Sequence, residues 1–128
     1  MISPKILVGT LFLGVSLFAT SAQTLMNDNG CFNCHAVASK RAAPAFAGIG
    51  MRNKHFEGAS AKATIMNSIK NGSKGKYPHF ANSAMPPFPN LTEEQLSTIA
   101  DYILSQSSKA KGHGHGRGMG GHGMRGMN

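Results

Sequence analysis

Apolar residues recur at helical spacing in two stretches of the chain. Leu96, Ile99, Ala100, Ile103 and Leu104 make one stripe, the pattern of a helix with a single buried face. Thr92-Glu93-Glu94-Gln95 precedes it as a capping box, with two acids at the positive end of the helix dipole. This helix is predicted to end within residues 105–108. Ile65, Met66 and Ile69 predict a second amphipathic helix over residues 61–71, closed by Gly72 as a C′ glycine. Residues 24–38 read as one further helix, although Asn27, Asp28, Asn29 and Gly30 lower its propensity. A short fourth is weakly signalled from about Ile49 to Glu57.

Between these stretches the pattern breaks for identifiable reasons. Residues 40–50, KRAAPAFAGIG, are loop-like around Pro44, because the residue before a proline is pushed out of the α region. Phe46 and Ile49 are then free to face a core. Residues 72–90 hold four prolines and two glycines, which predicts a long ordered loop of the kind that usually has a function. No segment alternates with the period of a strand. The fold class is all-α, about four helices with functional loops.

Composition then narrows the folded part. Residues 1–22 carry Lys5, an apolar run from Ile6 to Phe18 and the small residues ATSA. That run is short for a bilayer core of about 30 Å, so it reads as a signal peptide cleaved after Ala22, with an uncleaved anchor as the alternative. A lipid anchor at Cys31 is not expected. Residues 109–128 contain eight of the sixteen glycines and no large aliphatic or aromatic residue, and are expected to form a disordered basic tail. The domain is therefore residues 23–108, 86 residues, near the size at which an apolar core alone is marginal. A staple or cofactor is expected. The net charge of +8 falls to +3 once Lys5, Lys109, Lys111, Arg117 and Arg125 are set aside. A modestly basic surface suits an acidic protein or, transiently, an anionic membrane face. It lacks the basic stripe with interleaved aromatics that marks a nucleic-acid interface.

The only two cysteines lie in CFNCH, Cys31 to His35. A disulfide across so small a loop would constrain little of the unfolded chain. A thioredoxin-like dithiol wants a βαβ context, and a zinc site wants four ligands. Neither is visible. The remaining reading also uses the histidine: two thiols three apart on one helical face each add to a vinyl group of haem, and His35 ligates the iron. A low-spin electron-transfer haem needs a sixth ligand, and a thioether raises its potential. Met85, in AMPPFPN, is restrained by Pro86 and Pro87 and lies fifty residues beyond His35. Its rivals are Met51, Met66, His55 and His79.

With these residues in view, the sequence resembles the short-chain bacterial class I monohaem cytochromes c, from about Leu25 to Gln106. The resemblance is carried by CFNCH, KRAAPAF, GSKGKYPHFANSAMPP and EQLSTIADYILSQ. It implies a small cytochrome c fold wrapped around one haem c, held covalently through Cys31 and Cys34. It also implies that the Pro44 carbonyl binds the free nitrogen of His35 and fixes its ring. The family often has glycine where Ala43 stands, and favours tryptophan where Tyr77 stands, a position from which tyrosine would keep the bond to a haem propionate.

The expected core packs Phe46, Ile49, Ile65, Ile69, Leu91, Leu96, Ile99 and Ile103 against the porphyrin. The function implied is one-electron transport in the periplasm, with no enzyme chemistry. Its partners would be acidic oxidases, reductases or dehydrogenases, met through Lys40, Arg41, Lys74 and Lys76. The rival functions are a haem-based gas sensor or minor peroxidase, if the methionine is labile, and a fixed haem subunit of a periplasmic dehydrogenase. In the tail, His113, His115, His122, Met119 and Met124 suit copper or nickel. The alternative there is a flexible linker with unliganded histidines.

Overall fold

A computed structural model describes residues 20–76 and 78–111. Most of the expected signal peptide, Tyr77 and nearly all of the basic tail lie outside the described residues. Within them the chain is helical, with no strand: α1 Ala22–Asp28, a single turn α2 Cys31–Cys34, α3 Phe46–Glu57, α4 Ala61–Asn71 and α5 Glu93–Ser105. Short 3₁₀ turns follow α3 and α5 and interrupt the long loop at Pro78–Ser83.

The helix expected over residues 24–38 breaks after Asp28 and ends at Cys34. The Asn29 side chain folds back to donate to the Leu25 carbonyl at 2.8 Å, which closes α1. Gly30 then turns through φ 71°, a left-handed conformation that favours glycine. Cys31 to Cys34 makes one turn, and His35 leaves it extended at φ −104°, ψ 146°.

Helix α3 begins at Phe46, three residues earlier than its sequence signal. No side chain caps it. The Phe46 and Ala47 amides instead donate to the Ala36 and Val37 carbonyls, both at 2.9 Å, so the strand-like exit from α2 satisfies the free donors of the first turn. Helices α4 and α5 match their expected spans closely. The capping box is formed in both directions, Gln95 N to Thr92 Oγ1 at 3.2 Å and Thr92 N to Gln95 Oε1 at 3.0 Å.

The hydrophobic core joins Met26 and Leu25 from α1, Phe46 from α3, Ile65 and Ile69 from α4, and Leu96, Ile99, Ala100 and Ile103 from α5. Ile49 and Leu91 are only half-buried at the rim of this core. α5 is the central element, in contact with α1, α3 and α4. The exposed ion pairs Lys62–Asp101 and Lys70–Glu93 tie α4 to α5 and contribute little at such exposure. Where α3 crosses α5, a Cβ on Gly50 would stand 2.5 Å from the Ile103 carbonyl oxygen. Gly50→Ala is therefore expected to destabilise the haem-loaded protein by about 1–3 kcal/mol. Thermal unfolding should show a midpoint lower by roughly 5–15 °C.

Candidate functional site

The helices enclose an apolar cavity of about 570 Å³. Its walls bring together the chemistry-bearing residues singled out in the sequence: Cys31, Cys34, His35, Pro44 and Met85 all line it. The two cysteines are not disulfide-bonded. Burial pushes the Cys31 thiol above its ordinary pKa, as expected for a thiol facing apolar surroundings.

His35 is held from two sides. Its Nδ1 donates to the Pro44 carbonyl at 2.6 Å, and a carbonyl can only accept, so the proton sits on Nδ1 and the Nε2 lone pair is available. The ring stacks on Phe46 with centroids 4.8 Å apart and 23° between planes. Burial depresses its pKa, opposed by the bond to Pro44, so the imidazole is neutral and ready to donate electrons. Pro44 itself is positioned by the turn that follows α2, in which the Ala43 amide donates to the Cys34 carbonyl at 3.0 Å.

Met85 reaches the cavity from the long loop, which is strapped to its own beginning. The Met85 amide donates to Ser73 Oγ at 3.1 Å, and the Ser73 amide donates back to the Met85 carbonyl at 3.2 Å. Further along, the Phe88 amide caps α4 at the Ile69 carbonyl, 3.0 Å away. Gly72 lets the two ends of the loop approach: its φ is 84°, and a Cβ there would stand 2.8 Å from the Met85 carbonyl oxygen. Gly75 has a similar φ of 77° with open space around it. Gly72→Ala should thus cost about 1–3 kcal/mol, and more than Gly75→Ala, because it adds a backbone collision to the strain the two share. Thermal melts of the two haem-loaded variants check the order.

The rival ligands stand elsewhere. Met51, His55 and His79 are exposed, His55 with its ring against the edge of Phe56 at 4.6 Å. Met66 faces a separate groove between α4 and α5. The cavity wall also holds residues that the sequence did not single out, among them Met26, Asn53, Ser68 and Ser73. Met26 carries no helical-spacing signal in its short segment, and the other three are polar residues whose inward placement depends on how the elements pack. Among the proposed encounter residues, Lys40, Arg41 and Lys74 are exposed, whereas Lys76 is half-buried and donates to Ser68 Oγ at 2.6 Å.

Residues 19–107 match the family model described as cytochrome c. The chain belongs to the family of short class I monohaem cytochromes c. It is 33% identical over 100 residues to cytochrome c-551 of Pseudomonas aeruginosa, covering 77% of this chain and 88% of that protein. To cytochrome c-552 of Nitrosomonas europaea it is 31% identical over 101 residues, covering 77% and 93%. The crystal structure of wild-type Nitrosomonas europaea cytochrome c552 superposes with a TM-score of 0.56 at 28% identity, over 66% of this chain and 98% of that one. The class 1 cytochrome MtoD from Sideroxydans lithotrophicus ES-1 gives 0.55 at 25% identity, over 67% and 92%.

Cytochromes c of this family are haem-based electron carriers with covalently attached haem c, and so is this chain. Its residues fit that cofactor. One helical turn presents two thiols, a neutral buried imidazole has its outer nitrogen available, and the cavity wall is apolar.

Proposed function

We propose that the protein is an exported carrier that moves single electrons between respiratory partners in the periplasm, through a haem ligated by His35 and Met85. The observation that carries this reading is that His35 and Met85 line the same apolar cavity as Cys31 and Cys34. Met26, the other methionine on that wall, is fully buried in the packing of α1 against the core. No helix among the described residues is long and apolar enough to cross a membrane.

Bound in this cavity, haem c supplies the one-electron Fe(III)/Fe(II) couple. The protein residues do the rest. Cys31 and Cys34 hold the cofactor against loss outside the cell. The Pro44 carbonyl fixes the His35 tautomer, leaving Nε2 as the nitrogen that would hold the iron and raising its basicity. The apolar walls exclude water, and the two-way strap between Ser73 and Met85 holds the thioether in place with little reorganisation. With His35 and Met85 both holding the iron, no site would remain for oxygen, peroxide or substrate, which is the chemistry of a carrier rather than an enzyme.

Acidic partners would meet the exposed Lys40, Arg41 and Lys74. Tyr77 would bond a haem propionate, as its place in the family pattern implies. The deciding experiment is the visible spectrum of the purified protein with a denaturing gel stained for haem. Covalent haem and a weak band near the red edge in the oxidised form, the mark of methionine on iron, are expected. An oxidised spectrum without that band would overturn the Met85 assignment.

A further inference from the structure

One polar feature at the cavity wall is left unused by this mechanism. Ser68 of α4 lines the cavity, and its hydroxyl donates to the Thr64 carbonyl at 2.9 Å. Its single proton is thereby committed, so a lone pair accepts the Lys76 ammonium at 2.6 Å. Lys76 is half-buried, while Lys74, two residues earlier in the same loop, is exposed. The described ion pairs join other lysines, Lys62 to Asp101 and Lys70 to Glu93. A neutral hydroxyl compensates an ammonium poorly, and burial accordingly lowers the Lys76 pKa. Nearby charge does not remove the cost. Glu57 favours the ammonium and Arg52 partly opposes it, and burial outweighs the Glu57 attraction.

Haem brings the missing anions. Its two propionates lie on the edge away from the vinyl groups that form the thioethers. Both cysteines sit on α2, whose Phe32 meets Phe46 of α3 and whose backbone comes close to α1 but not to α4 or α5. Helix α4 and the loop after it therefore flank the part of the cavity remote from the thioether edge. We propose that Lys76, propped on Ser68 at the cavity wall, is the cationic seat of a haem propionate. This rests on the haem alone and stands whether or not Met85 is the sixth ligand.

The sign of the effect follows from the charge. A cation beside the haem disfavours the ferric state, so its removal should favour it. In Lys76→Gln the ferric-to-ferrous ratio at a fixed solution potential is expected to rise about three- to tenfold. Lys76→Arg should stay near the parent, and Lys74→Gln should move the ratio less than about twofold, since an exposed charge is screened. In the redox infrared difference spectrum, the propionate carboxylate band should shift in Lys76→Gln and not in Lys74→Gln. The parent protein gives a test free of any folding defect: ferrous-state NMR should show a nuclear Overhauser contact between the Lys76 ε-methylene and a propionate methylene. Equal ratio shifts in the two glutamine variants, an unmoved carboxylate band in Lys76→Gln, or absence of that contact would each overturn the proposal.

Discussion

A variant with both Cys31 and Cys34 changed to alanine is expected to lose the fold as well as the cofactor. Helices and loops line a partly open apolar cavity of about 570 Å³ whose walls only the haem would cover. Ile65, Ile69, Ile99 and Ile103 all face that space as well as one another. Without a porphyrin to bury them, the helices have only the seams of α5 with α1, α3 and α4 and of α3 with α4 to hold them. The purified variant should stain negative for haem on a denaturing gel and give the far-ultraviolet circular dichroism of a largely unfolded chain. Native-like helical dichroism would show that the apoprotein folds by itself and that the haem is no scaffold.

Met85→Ala should act differently, on the iron and not on the fold. The loop that carries Met85 is anchored by backbone bonds, Ser73 to Met85 and Phe88 to Ile69, which an alanine side chain leaves in place. The haem should remain covalently attached and the helical dichroism should persist. The weak red-edge band of the oxidised protein should vanish. The potential should fall by about 0.1–0.3 V, part of the roughly 0.8 V range over which axial ligands set haem potentials. Added imidazole should then bind the open position, which the parent protein resists. Met26→Leu should keep the band and the potential. If Met85→Ala keeps the band and Met26→Leu loses it, the ligand is Met26.

Much of this architecture was legible because its signals are local. Helix α5 carries its own start in the Thr92–Gln95 capping box and its own buried stripe, and α4 carries its stop at Gly72. The start of α5 required only neighbours within a few residues, while the end of α4 is also capped by the distant Phe88 amide. The Cys31–His35 pentapeptide was readable as a haem-attachment segment for a chemical reason, since few residue types bond to vinyl groups or to iron. The carbonyl partner implied for His35, Pro44, stands at 2.6 Å from Nδ1.

Other features depend on atoms far apart in the chain. The break at Gly30 follows from a cluster of weak helix formers, but whether such a cluster bends or ends a helix is decided by the fold around it. Helix α3 starts at Phe46 because the Ala36 and Val37 carbonyls arrive to cap it, and no residue type in the sequence records that arrival. Lys76 looks like any solvated lysine until Ser68 is placed beneath it.

By itself, then, the sequence determined the all-helical class, the haem chemistry and the helices that cap themselves, because each rests on side-chain identity and short-range spacing. Only the tertiary structure decided which polar residues face the cavity, where α3 begins and how closely Gly50 lets α3 approach α5. Those depend on groups meeting across the chain, and every residue but proline carries the same backbone donor and acceptor.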